Sequence, residues 1–175
     1  MVLRINKKYK KYIKNFDKYY DHLLKKIIPF SYLENTEIEL ISFLLFLTDY
    51  ALFNTTKDRY KIISCLNYHI ANKYNNGNLD LNYIYGRVDF YASIVKGRVV
   101  QGIWWLGDEN FIKNADILSK CMYAFADIIR NPDLINDYDK GITNITNIVE
   151  SMIFAKSFFE DIRNLMIEYF KSVMR

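Results

Sequence analysis

The chain has 175 residues, 51% of them apolar, 25% charged and 17% aromatic, a composition that excludes disorder and is enough for one domain spanning residues 1–175. Two cysteines exclude a disulfide framework, and the opening MVLRINKKYKKY has no apolar run of the secretory type, so a cytoplasmic location is expected. The longest apolar stretch, residues 38–53, contains Thr48 and Asp49 and is short of the roughly 20 apolar residues that cross a bilayer, so no transmembrane segment is expected.

The formal charge of +4 is unevenly placed. Residues 1–26 carry nine basic side chains against Asp17 and Asp21, a surplus larger than that of the whole chain, so the remainder is net acidic. In the same segment Tyr9, Tyr12, Ile13, Phe16, Tyr20, Leu23, Leu24, Ile27 and Ile28 recur at spacings of three and four, which predicts an amphipathic helix ended by Pro29.

Thr36 followed by Glu39 has the spacing of a capping box and opens a second helix to about residue 53, apolar on nearly every side and therefore central. After the break Asn54-Thr55-Thr56, a third helix is expected to turn Tyr60, Ile63, Leu66, Ile70, Ala71 and Tyr74 inward, as far as the turn at residues 75–78.

The next stretch has two readings. Leu81, Ile84, Tyr85, Val88, Ala92 and Val95 fit a fourth helix from near Asp80 to a stop at Gly97, leaving an irregular connection rich in glycine and tryptophan over 97–108. The alternative is a small β-hairpin at 88–106, since both halves are rich in β-branched and aromatic residues; strict alternation fails at Gly86 and Gly102, which favours the helix.

Asp108 then caps a fifth helix with Phe111, Ile112, Ala115, Leu118, Ser119, Met122, Phe125, Ala126 and Ile129 inward, ending at Asn131-Pro132. A last helix carries a stripe from Ile145 to Val173 that includes Ile162, Leu165, Met166, Tyr169 and Phe170. The expected fold is an all-α, single-domain bundle of about six helices.

Sites are harder to read. Lys7, Lys8, Lys10, Lys11, Lys14 and Lys18 interleave with Tyr9, Tyr12 and Tyr19, so phosphates and unpaired bases, or an anionic membrane surface, could be met by the first helix; the plainer reading is a solvated face with inward tyrosines. Cys65 and His69 lie four apart and could form half a zinc site with Cys121 and His22, or a nucleophile and its base, but a second short-spaced ligand pair is missing. Buried cysteine and a hydrogen-bonded histidine are the simpler account.

Asp49, Asp89, Asp127 and Glu150 interrupt apolar helical sequence and need cationic partners, for which Arg87, Arg98 and Arg130 are candidates. A polar pocket of Arg87, Asp89, Arg98, Asp127 and Arg130 beside Trp104, Trp105 and Asp108 is the candidate binding site for a partner or ligand. The patterns of zincins, dinucleotide-binding folds, P-loops and nucleophile elbows are missing, so no catalytic residue, metal or cofactor is assigned.

The leading expectation is a non-enzymatic protein-interaction module of the immunity, inhibitor or adaptor type. The alternatives are a nucleic-acid-binding regulator using basic residues 4–26, and a hydrolase or small-ligand protein using the Arg/Asp pocket.

Overall fold

The computed structural model describes residues 7–31, 36–53, 55–74, 79–96, 117–130 and 162–175. These are α-helical almost throughout, and no strand occurs among them. The helices are α1 (Lys10–Ile27), α2 (Thr36–Leu52), α3 (Arg59–Lys73), α4 (Leu81–Val95), α5 (Ile117–Arg130) and α6 (162–174). Single 3-10 turns at Lys7–Tyr9 and Ile28–Phe30 bracket α1, the second containing Pro29 where the α-helix gives way.

The all-α expectation is met, and α2 is the centre. Leu40, Ile41, Phe43, Leu44, Leu45, Phe46, Leu47, Ala51 and Leu52 of α2 are all buried. Burying a side chain of this size contributes about 1.5–3 kcal/mol against leaving it in water, so α2 is stable only when covered on most sides. α1, α3, α4 and α5 all pack on it, α4 over the greatest length. Phe43 stacks on Phe125 of α5 with ring centroids 4.6 Å apart and meets Tyr91 of α4 edge-on at 4.8 Å. From α6, Phe170 approaches Tyr50 at 5.9 Å.

Polar side chains inside α2 are satisfied locally. Ser42 and Thr48 donate to the carbonyls of Ile38 and Leu44, each at 2.8 Å, and the hydroxyl of Tyr169 on α6 bonds to Thr48. Thr36 is already helical, and Glu39 does not close a capping box. Its carboxylate faces α4 and is fully buried there. A long-range cation has outcompeted the local turn for it.

The inward faces of α3 and α4 match the expected ones in part: Leu66, Ile70, Tyr74 and Ile84 are buried, and Ile63, Val88, Ala92 and Val95 pack partly buried against the core. On α3 the buried residues are Ile62, Leu66 and Ile70, while Tyr60 is 76% exposed. Ile62 and Ile63 are adjacent apolar residues, so two helical registers satisfy the pattern, and the one observed turns Tyr60 to solvent. On α4 the buried set is Ile84, Arg87, Phe90, Tyr91 and Ile94, with Leu81 and Tyr85 exposed. Arg87 is in the buried set because it meets Glu39.

Residues 88–95 are the end of α4, which removes the first strand of the alternative hairpin. The helix begins where expected, after Asp80, which is its N-cap and accepts from the amides of Asn82 at 2.9 Å and Tyr83 at 3.2 Å. The connection at 97–108, including the capping role expected of Asp108, lies outside the described residues. On α5 Met122, Phe125, Ala126 and Ile129 are buried as expected, as are Ile162, Met166, Tyr169 and Val173 on α6.

Candidate nucleic-acid interface

α1 and the 3-10 turn before it separate their two kinds of side chain cleanly. Tyr9, Ile13, Phe16, Tyr19, Tyr20, Leu23 and Ile27 face the core, while Lys7, Lys8, Lys10, Lys11, Lys14 and Lys18 are all exposed. Lys11, Lys14, Lys18 and Lys25 follow one another at intervals of three, four and seven, so they share one face opposite the core along roughly 21 Å of helix axis. Among the described residues no carboxylate lies within ion-pair distance of Lys7, Lys10, Lys11, Lys14 or Lys18.

Of the two acids of α1, one borders this row and the other is turned away from it. Asp21 is exposed on its flank, and Asp17 is directed to α3, where it accepts from Tyr74 at 2.6 Å and lies 2.8 Å from His69 Nε2 and 2.9 Å from Lys73 Nζ. Burial pushes the Asp17 carboxyl upward, but the bonds from Tyr74, Lys73 and His69 outweigh it and hold Asp17 below the usual carboxylate range.

The tyrosines expected to accompany the lysines as stacking groups are otherwise engaged. Tyr9 and Tyr19 are buried, and Tyr12 is half-buried with Lys11 Nζ 4.7 Å from its ring centroid. Exposed rings occur instead at the α2–α3 corner. Phe53 is 61% exposed, and the Arg59 guanidinium lies 4.9 Å from its centroid and 5.3 Å from that of Tyr60. Asp49 fixes the guanidinium in place through two hydrogen bonds, one from Nε at 2.6 Å. Phe53, Thr55, Thr56, Lys57, Arg59 and Tyr60 line a shallow, open depression there.

An ion pair links the corner to the basic N-terminal segment: Lys8, in the turn before α1 and three residues from Lys11, pairs with Asp58, which directly precedes Arg59. The apolar character of Phe53 and Tyr60 reads as core in a sequence. Asp49 and Arg59 on either side of the break are the available sign that the segment forms an outward corner.

Of the expected Arg/Asp cluster, only the side chains of Arg87 and Asp89 are among the described residues. Arg87 is buried against Glu39, whereas Asp89, two residues along the same helix, is exposed. Asp49, expected to need one of Arg87, Arg98 and Arg130, pairs with Arg59. Arg98, Trp104, Trp105, Asp108 and the side chains of Asp127 and Arg130 lie outside the described residues, as does Glu150.

The network that does form contains Glu39, Arg87, Tyr83 and Tyr91. Arg87 Nε donates to Glu39 Oε2 at 3.0 Å and Oε1 at 3.3 Å, Tyr83 donates to Oε2 at 3.3 Å, and Tyr91 donates to Oε1. The Phe90 ring lies under the guanidinium with its centroid 4.3 Å away, and Arg87 Nη2 is buried and has no hydrogen-bond partner among the described residues. Burial and the Glu39 carboxylate push the Tyr83 hydroxyl up to about 12 and the Tyr91 hydroxyl well above its ordinary value. Both phenols therefore stay protonated as donors, and the carboxylate is held by three side chains at once.

His69 is engaged by Asp17, Cys121 is buried with its thiol toward the Tyr91 carbonyl at 3.8 Å, and His22 is exposed on α1. Burial raises the Cys65 thiol, opposite to what a reactive thiolate requires. No group of three or more His, Cys, Asp or Glu among the described residues is placed to hold a metal, and none of the described helices is long and apolar enough to cross a membrane. No protein-family model, curated protein or solved structure matches this chain.

Proposed function

We propose that this protein is a non-enzymatic binding module whose working surface is the lysine face of α1, and that it takes nucleic acid through the phosphates. The supporting observation is the segregation on that helix: Lys10, Lys11, Lys14 and Lys18 are presented to solvent without carboxylate partners among the described residues, while its apolar side chains anchor it to α2 and α3. Lysines three or four apart on a helix are separated by roughly 5–6 Å, so the row offers a linear series of charges to a linear polyanion. The buried Glu39–Arg87 network supports the non-enzymatic reading, because its charges hold each other and two tyrosines.

Phosphate contacts release condensed counterions, so affinity must fall steeply with salt. Fluorescence anisotropy with a labelled oligonucleotide, titrated at several salt concentrations, should give a log–log slope of about −0.7 to −0.9 for each phosphate contacted. A flat response would exclude the lysine row as the binding surface.

A further inference from the structure

We infer that Phe53 and Tyr60 form the base-stacking end of the surface proposed above, and that the nucleic acid it takes is single-stranded. The inference rests on the reading of the lysine face as a phosphate-binding row and adds what that row lacks, a group able to recognise bases.

Two observations carry it. First, the rings are fixed in the open: one guanidinium lies against both, and Asp49 immobilises that guanidinium from the helix behind. Large aromatic side chains held in solvent gain little from folding, whereas each presents a π-face to any base that reaches it. Second, the corner adjoins the lysines. Lys8 pairs with Asp58 one residue before Arg59, and exposed Lys57 lines the same depression. A strand following the lysines with its phosphates would therefore arrive at the rings with its bases.

Duplex DNA cannot use such a site, because its bases are already stacked on one another and only their edges are accessible. An unpaired strand can turn its bases onto the rings while its phosphates remain on lysine, the combination of aromatic platforms and basic groove by which sequence-tolerant single-strand binding works.

The test compares an oligothymidylate of about 16 nucleotides with an abasic strand of the same length and with a duplex. Wild-type protein should prefer oligothymidylate over the abasic strand by about tenfold or more, and over the duplex. Phe53→Ala combined with Tyr60→Ala should abolish the first preference, and Tyr60→Phe, which keeps the ring, should retain it. Equal, salt-dependent affinity for all three ligands would overturn the stacking inference and leave the phosphate reading standing. Preference persisting in the double alanine variant would also overturn it. Failure to bind any of the three would overturn both.

Discussion

Arg87 on α4 reaches both carboxylate oxygens of Glu39 on α2 through a single nitrogen, Nε, and the two charges are 6% and 0% exposed. A pair so deep is expensive to break from one side only. Glu39→Gln or Arg87→Met alone leaves a buried charge without its counter-ion and should cost about 3–5 kcal/mol in urea unfolding. Replacing both by apolar residues of similar volume should recover most of that loss. A double variant as unstable as the worse single one would contradict the account.

Thr48 ties α2 to α6. Its own proton goes to the Leu44 carbonyl, so the hydroxyl accepts from Tyr169, a fully buried residue. Thr48→Val should leave that phenol without an acceptor and lower stability by about 1–3 kcal/mol, and adding Tyr169→Phe should return part of it. Thermal melts of the two single variants and the pair provide the comparison.

Acid should loosen the α1–α3 contact. Asp17 has a folded-state pKa below its ordinary value, so its contribution to stability is complete above the unfolded carboxyl range near 4 and is lost as pH falls toward the folded value. Asp17→Asn should flatten the dependence of unfolding free energy on pH below about 4, with little change in that slope near neutrality.

Gly86 stands at an exposed position in the interior of α4, and a Cβ placed there would meet nothing within 4 Å. Glycine in a helix interior costs about 0.5–1 kcal/mol relative to alanine through the freedom it loses on folding. Gly86→Ala should therefore raise the melting temperature, a gain that calorimetry can measure directly.

On α1, changing Lys11, Lys14 and Lys18 to glutamine should leave the melting temperature nearly unchanged, since all three are exposed. Each change should reduce the magnitude of the salt slope for oligonucleotide binding by about 1. An unchanged slope in the triple variant would place the phosphates elsewhere.

Where one face of a helix is decided by chemistry alone, the sequence is enough to read it. The α1 lysines cannot be buried and its isoleucine, leucine and phenylalanine positions cannot all be exposed, so both faces follow from spacing, and Asp80 can be recognised as a cap because capping is local. The register of α3 is a different matter. Ile62 and Ile63 both meet the core, so spacing alone does not say which way Tyr60 points, and the structure places it in solvent beside the Asp49–Arg59 pair. Glu39 illustrates the same limit, since the spacing from Thr36 imitates a capping box while the true partner lies 48 residues later. The aromatic corner was hidden for this reason: hydrophobicity predicts an inward Phe53 and Tyr60, whereas both are exposed beside Arg59.

The near-complete burial of α2 also bears on how the chain is made. During synthesis α2 leaves the ribosome well before α4, so for that interval one side of a strongly apolar helix has no cover. Glu39 lies on that side, and enclosing its carboxylate without Arg87 costs several kcal/mol. A premature or foreign partner that covers the same side must pay that penalty, whereas α4 brings the cation with it. The buried charge thus favours the one helix that carries a matching cation over any cover that lacks one.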